Sequence, residues 1–146
     1  MKLRIGYPDR DNEMEMLAAN VGQGDATPVS DEEGLDPNRL SELQKHVSEV
    51  TVCKAVREYL VDLAAATRAH PDIALGLSPR GLITWQAVSQ ALAHLKGRDF
   101  VTPDMIKFVA TAVLKHRVIL TPEKEMEGIG PDEVIRQILE TVEVPR

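Results

Sequence analysis

Apolar residues along this chain recur mainly at helical spacing, and helix-start punctuation marks off one segment after another. The strongest stripe runs from Cys53 to Ala69, where Val56, Leu60, Leu63 and Ala64 share one face. From Ser78-Pro79 a second series follows through Leu82, Trp85, Val88, Leu92 and Leu95, with Gly97 as a natural stop. Thr102 caps a third helix, Pro103 takes its first position, Asp104 complements the dipole, and Met105, Ile106, Val109 and Val113 face inward. Pro131-Asp132-Glu133 opens a last helix, 131–142, with Val134, Ile135, Ile138, Leu139 and Val142 on its inner side. Nearer the start, Asp9 caps a helix reaching about Asn20, with Glu13 placed for a capping contact and Met14 and Leu17 on one face. Asp36-Pro37 opens another to about Ser48, carrying Leu40, Leu43 and Val47.

Between these helices the pattern weakens. KLRI at 2–5 alternates like a strand end, and GYPD breaks it; a stub that short needs a partner from elsewhere. Residues 21–36, rich in Gly, Pro and acids, read as a long connection whose DEE run is a solvated acidic patch. Val50-Thr51-Val52 is β-branched and suited to a brief pairing with Pro28-Val29. HPDIALGL, 70–77, reads as a turn-rich loop, and HRVIL, 116–120, is too short to assign. The expected architecture is mainly α: a small helical bundle with one or two very short β-strand pairs.

Composition narrows the function. A chain of 146 residues suits one domain, able to bury about 68–70% of its unfolded surface. Aromatic residues make up only 3%, so the core must be aliphatic. A net charge of −6 argues against nucleic acid or an anionic membrane as partner. The single Cys53 excludes an internal disulfide and reads as a small buried residue at a helix start. No apolar run approaches membrane-spanning length and the first residues lack a signal-peptide core, so a cytoplasmic protein is expected. Chemistry is scarce. No G-x-x-x-x-G-K-[ST] phosphate loop and no H-E-x-x-H occurs, and His46, His70, His94 and His116 are dispersed, so no metal site is expected. Trp85, at core spacing, is read as packing.

One short stretch stands apart. LGLSPRG, 75–81, makes Ser78 an N-cap and Pro79 the first helical residue, which places Arg80 in the first turn. A cation there is disfavoured by about 0.3–1 kcal/mol. The other helix starts carry acids, whereas no acid lies between Asp72 and Asp99. A surface arginine on a tolerant helix end would explain this. So would an external anion, a phosphate above all, received by Arg80, the helix N-terminus and the bare backbone of Gly81.

LRIGYPDRDNEMEML, HVSEVTVCKAVREYLVDLAAATRAHPDIALGLSPRG and GRDFVTPDMIKFVATAVLKHRVIL together resemble the C-terminal lid of MoxR-type AAA+ ATPases, from Leu3 to about Leu120. The resemblance implies that Arg80 is the sensor-2 arginine, reaching toward the γ-phosphate of ATP. It implies that residues 1–8 are the end of the last core strand and the hinge, with Tyr7 and Pro8 near the nucleotide, and that residues 9–146 are the lid. Ser78 and Gly81 would flank the phosphate, and Tyr59 and Leu60 would face the adenine. Leu77 and Gly81 stand where the family often has alanine; the arginine is retained. The family's phosphate loop, Walker B element, sensor 1 and arginine finger do not appear in these residues, so the chain reads as an excised lid, inactive alone, with KLRI as the scar. The resemblance further implies ATP and Mg2+ in the intact protein, an N-terminal AAA+ core domain, a homo-oligomeric ring, and a chaperone-like role with a von Willebrand A-domain protein or another client. Two other readings stand beside it: a stand-alone helical protein-interaction module, and a nucleic-acid binder, which the charge disfavours.

Overall fold

The computed structural model describes residues 9–20 and 36–145. In chain order these form α1 (Arg10–Asn20), α2 (Pro37–Glu49), α3 (Lys54–Ala69), β1 (Ile73–Leu75), α4 (Pro79–Leu95), α5 (Pro103–Leu114), β2 (Ile119–Leu120), α6 (Pro122–Met126) and α7 (Pro131–Thr141). The expected KLRI strand, the hinge at 1–8 and the connection 21–35 lie outside the described residues.

The helices begin where side-chain chemistry starts them. Asp36 accepts from the Asn38 N–H, Ser78 from Gly81 and Thr102 from Met105, each supplying an acceptor for an otherwise orphan first-turn donor. Asp9 does the same for Asn12. Proline follows at the first helical positions of α2, α4 and α5, where its missing N–H costs nothing. The short α6 repeats this Xaa-Pro start at Thr121-Pro122, but its sequence PEKEM has no apolar period to announce it.

The core lies among α3, α4, α5 and α7. Leu63, Trp85, Ile106 and Val113 are fully buried there, with Val134, Ile135 and Ile138 closing one side. Trp85 is the packing residue expected; its indole Nε1–H donates to the Ile106 carbonyl at 3.0 Å, tying α4 to α5. The buried line of α4 runs Gly81, Trp85, Ser89, Ala93, one residue every fourth position. Leu82, Val88 and Leu92 flank it half-buried, and Leu95 at its end is 82% exposed. Small residues at Gly81, Ser89 and Ala93 let neighbouring elements approach closely, and the Ser89 hydroxyl is satisfied within the helix by the Trp85 carbonyl.

Two readings are corrected, the loop at 70–77 and the burial of Cys53. HPDIALGL contains a strand: β1 pairs antiparallel with β2, Ile73 opposite Leu120 and Leu75 opposite Ile119, which also resolves HRVIL. These strands have three and two residues, too short for alternation to declare itself. Thr51 bridges in parallel to Phe100, donating to the Asp99 carbonyl and accepting from the Val101 N–H. Pro28-Val29, its expected partner, is outside the described residues. Cys53 is exposed rather than buried, because it occupies the cap of α3 and not its inward stripe.

The amino-terminal helices pack differently. None of the α2 residues is buried, Leu40 and Leu43 remain exposed, and Met14 and Leu17 of α1 are exposed as well. The end of α2 is held where Gln90 Nε2 donates to the Val50 carbonyl and the His46 and His94 rings stack.

Candidate functional site at the start of the fourth helix

The approach to α4 is fixed by α3. Thr67 is fully buried and accepts from the Leu77 N–H at 3.0 Å, while Arg68 Nε donates to the Leu77 carbonyl at 2.8 Å. Consecutive residues of the last turn of α3 therefore hold both backbone groups of the residue before Ser78. A Cβ at Gly76 would stand 2.7 Å from the Arg68 Cα, so only glycine lets the loop lie this close to the helix.

At the tip itself, three first-turn positions have separate fates. Pro79 has no N–H, the Gly81 N–H is taken by Ser78 Oγ at 3.1 Å, and the Leu82 N–H by the Ser78 carbonyl at 3.0 Å. The Arg80 N–H has no partner among the described residues, and the Ser78 hydroxyl, an acceptor here, keeps its own proton to donate. Arg80 is exposed, and among the described residues no carboxylate pairs with its guanidinium. A neighbouring acid does not balance its charge, and it is not folded into the interior.

Gly81 has a different reason from the one expected. It is buried, its N–H is already engaged, and a Cβ there would meet Leu77 Cδ1 at 2.4 Å. Its bareness makes room for Leu77, 1% exposed, and not for a ligand. Tyr59 and Leu60, expected to face a base, are each 2% exposed. They are core residues of α3 and present almost no surface; the helical stripe already placed Leu60 inward, and the expectation that both face a base came from the family resemblance. Burial pushes the Tyr59 phenol above its ordinary pKa, with the Asp104 carboxylate adding to the effect, and its hydroxyl has no hydrogen-bond partner among the described residues. Tyr7 and Pro8 lie outside the described residues.

The structure also brings together residues that sequence reasoning left unassigned. Arg68 and Arg117 line one cleft with Ala74, Leu75, Gly76, Leu77 and Ser78. They stand 49 positions apart, and nothing short of the β1–β2 pairing would have brought them together. Among the described residues no group of three or more His, Cys, Asp or Glu side chains could hold a metal ion, and no helix is long and apolar enough to cross a membrane.

Known proteins are similar to this chain in sequence and fold. Residues 65–138 match the family model for the AAA lid domain. Across 99% of its length the chain is 38% identical to YeaC of Bacillus subtilis, 31% to Chaperone MoxR1 of Mycobacterium tuberculosis and 30% to Protein MoxR of Paracoccus denitrificans. It spans only 40–44% of the length of those relatives. The crystal structure of a Cytophaga hutchinsonii protein assigned as an ATPase superposes on the whole chain with a TM-score of 0.81 at 30% identity, over 46% of that protein. With a family model covering the stretch from the end of α3 into α7, and with MoxR relatives aligned over 99% of the chain, the chain belongs to the AAA lid domain family, of the MoxR type.

Proposed function

We propose that this chain works as the lid of an ATP-hydrolysing MoxR-type protein and that Arg80 is its sensor-2 arginine. The observation that carries the reading is the exposed Arg80 at the capped tip of α4, with no carboxylate partner among the described residues. The Arg80 backbone N–H and guanidinium and the Ser78 hydroxyl are donors, and donors at a helix N-terminus suit a phosphate. ATP, held with Mg2+ by an AAA+ core domain, supplies the terminal phosphate that is transferred to water. Arg80 binds and orients that phosphate and offsets the charge that develops on its oxygens. Ser78 fixes the helix start so that the guanidinium is presented from a rigid element.

On this reading residues 1–8 are the end of the core strand and the hinge, with Tyr7 and Pro8 beside the nucleotide, and residues 9–146 form the lid. Arg80 favours the closed position while a terminal phosphate is present and releases it afterwards, a two-state element biased by its ligand. The protein would work in the cytoplasm as a homo-oligomeric, chaperone-like factor acting on a von Willebrand A-domain protein or another client.

A second reading, a protein-interaction module, is favoured by the exposed aromatics. Phe100 and Phe108, the only phenylalanines in the chain, are 49% and 72% exposed, and Lys96 Nζ lies 5.2 Å from the Phe108 ring centroid. ATP hydrolysis by the intact protein separates the readings. Arg80→Ala is expected to lower its turnover while leaving helix content and assembly unchanged, and the isolated 146-residue chain is expected to show none. Wild-type turnover in the variant would remove Arg80 from the mechanism.

A further inference from the structure

The cleft beside the α4 tip has an unusual polar lining. It is about 560 Å3 in volume, and its walls combine aliphatic Ala74, Leu75 and Leu77 with Arg68, Arg117 and Ser78. Every polar side chain in it is a hydrogen-bond donor, and among the described residues no carboxylate lines it, in a chain where Asp and Glu number 23 against 17 Lys and Arg. All the ion pairs among the described residues are made by lysine or histidine; Arg68 and Arg117 make none.

The two guanidinia are held differently, and both leave donors to spare. Arg68 is anchored through Nε to the Leu77 carbonyl, and its terminal nitrogens have no partner among the described residues. Arg117 is half-buried, and its Nε is shielded from solvent with no acceptor among the described residues. A buried charged donor without an acceptor is costly, and such groups are ordinarily satisfied by a protein atom, water or a ligand. The Arg117 terminal nitrogens likewise make no hydrogen bond or ion pair among the described residues, and they are the donors on offer to the cleft.

We propose that Arg68, Arg117 and the Ser78 hydroxyl form a phosphate-binding subsite. One planar fork saturates the two oxygens of a carboxylate, whereas two forks and a hydroxyl suit a group with three or more oxygens. Ser78 lines this cleft and also caps the helix that carries Arg80, so the two sites share a wall. The subsite stands on its own geometry and does not require that Arg80 act on ATP. The ligand chemistry is a phosphate group, either the phosphate chain of a nucleotide or free inorganic phosphate or pyrophosphate.

The test follows the arginine Nε–H resonances of the 146-residue chain by 1H–15N NMR during separate titrations with inorganic phosphate, pyrophosphate, ATP and acetate. The Arg117 and Arg68 signals are expected to shift saturably with a phosphate ligand and not with acetate. Saturation by phosphate or pyrophosphate identifies the free anion as a sufficient ligand; saturation by ATP alone identifies the nucleotide. Arg117→Lys keeps the charge but loses the fork, and is expected to weaken the response about tenfold, with an unchanged amide spectrum elsewhere reporting an intact fold. If only Arg80 responds, or if all arginines drift together without saturation, the subsite is overturned. It is overturned equally if acetate matches phosphate, or if Arg117→Lys, folded, binds as wild type does.

Discussion

Two helices of this protein start alike and end up with opposite charges at the same place. Ser78-Pro79-Arg80 opens α4 and Thr102-Pro103-Asp104 opens α5, each with a hydroxyl cap accepting from the third residue on. Asp104 meets the positive end of its helix dipole and settles the matter locally. Arg80 adds a like charge to a like pole, stays exposed, and has no acid beside it among the described residues. The contrast teaches that a cap and its first-turn charge are separable: the cap sets where a helix begins, and the charge decides whether the dipole at its tip is balanced locally.

The largest expected effect breaks the comparison at its functional end. In the intact protein, Arg80→Ala is expected to lower ATP turnover about a hundredfold, the scale of losing one transition-state donor, whereas Asp104→Ala leaves it near wild type; steady-state kinetics read both. Next comes the joint between the helices. Trp85→Ala removes a fully buried indole and its bond to the Ile106 carbonyl, and is expected to cost about 3–5 kcal/mol in denaturant unfolding.

The glycines before and inside α4 sharpen the picture of its tip. Gly76→Ala drives a Cβ against backbone and is expected to cost about 2–3 kcal/mol. Gly81→Ala meets side chain rather than backbone, Leu77 Cδ1 at 2.4 Å and Cγ at 3.1 Å, and gains about 1 kcal/mol of helix propensity, so its net loss is expected to be the smaller of the two. Thermal unfolding of both variants gives the order.

Charge exchange at the two tips gives smaller changes of opposite sign. Arg80→Asp is expected to stabilise the chain by about 0.5–1 kcal/mol and Asp104→Arg to destabilise it by a similar amount, both fading in high salt. The smallest effect belongs to Tyr59. Its phenol titrates above pH 10 in the folded protein, so the unfolded chain loses that proton first, and stability falls as pH rises beyond 10. Tyr59→Phe removes a buried hydroxyl that has no partner among the described residues; it is expected to leave stability at neutral pH equal or slightly higher and to flatten the alkaline decline.

Much of this was legible in the residues, and for identifiable reasons. Caps are local chemistry, so Asp9, Asp36, Ser78 and Thr102 announced their helices. Periodicity found Trp85, Ile106 and Val134 because a buried helix face repeats. It also placed Leu60 in the core, where the structure has it beside Tyr59; the expectation that these two face a base came from the family resemblance and not from the period. Strands of two or three residues lie below what alternation can resolve, and Ile73–Leu75 passed for loop. Gly81 looked like a phosphate feature because glycine's reason depends on what stands opposite, here Leu77, and sequence does not say. The pairing of Arg68 with Arg117 in one cleft required the tertiary fold.

The double grip of Thr67 and Arg68 on Leu77 has a mechanical meaning. A flexible tether before α4 would let the tip yield under load and absorb the displacement. With both backbone groups of Leu77 clamped and no room for slack beside Gly76, a tug applied at the tip is passed to the last turn of α3 rather than taken up by the connection. The joint behaves as a crank and not as a string.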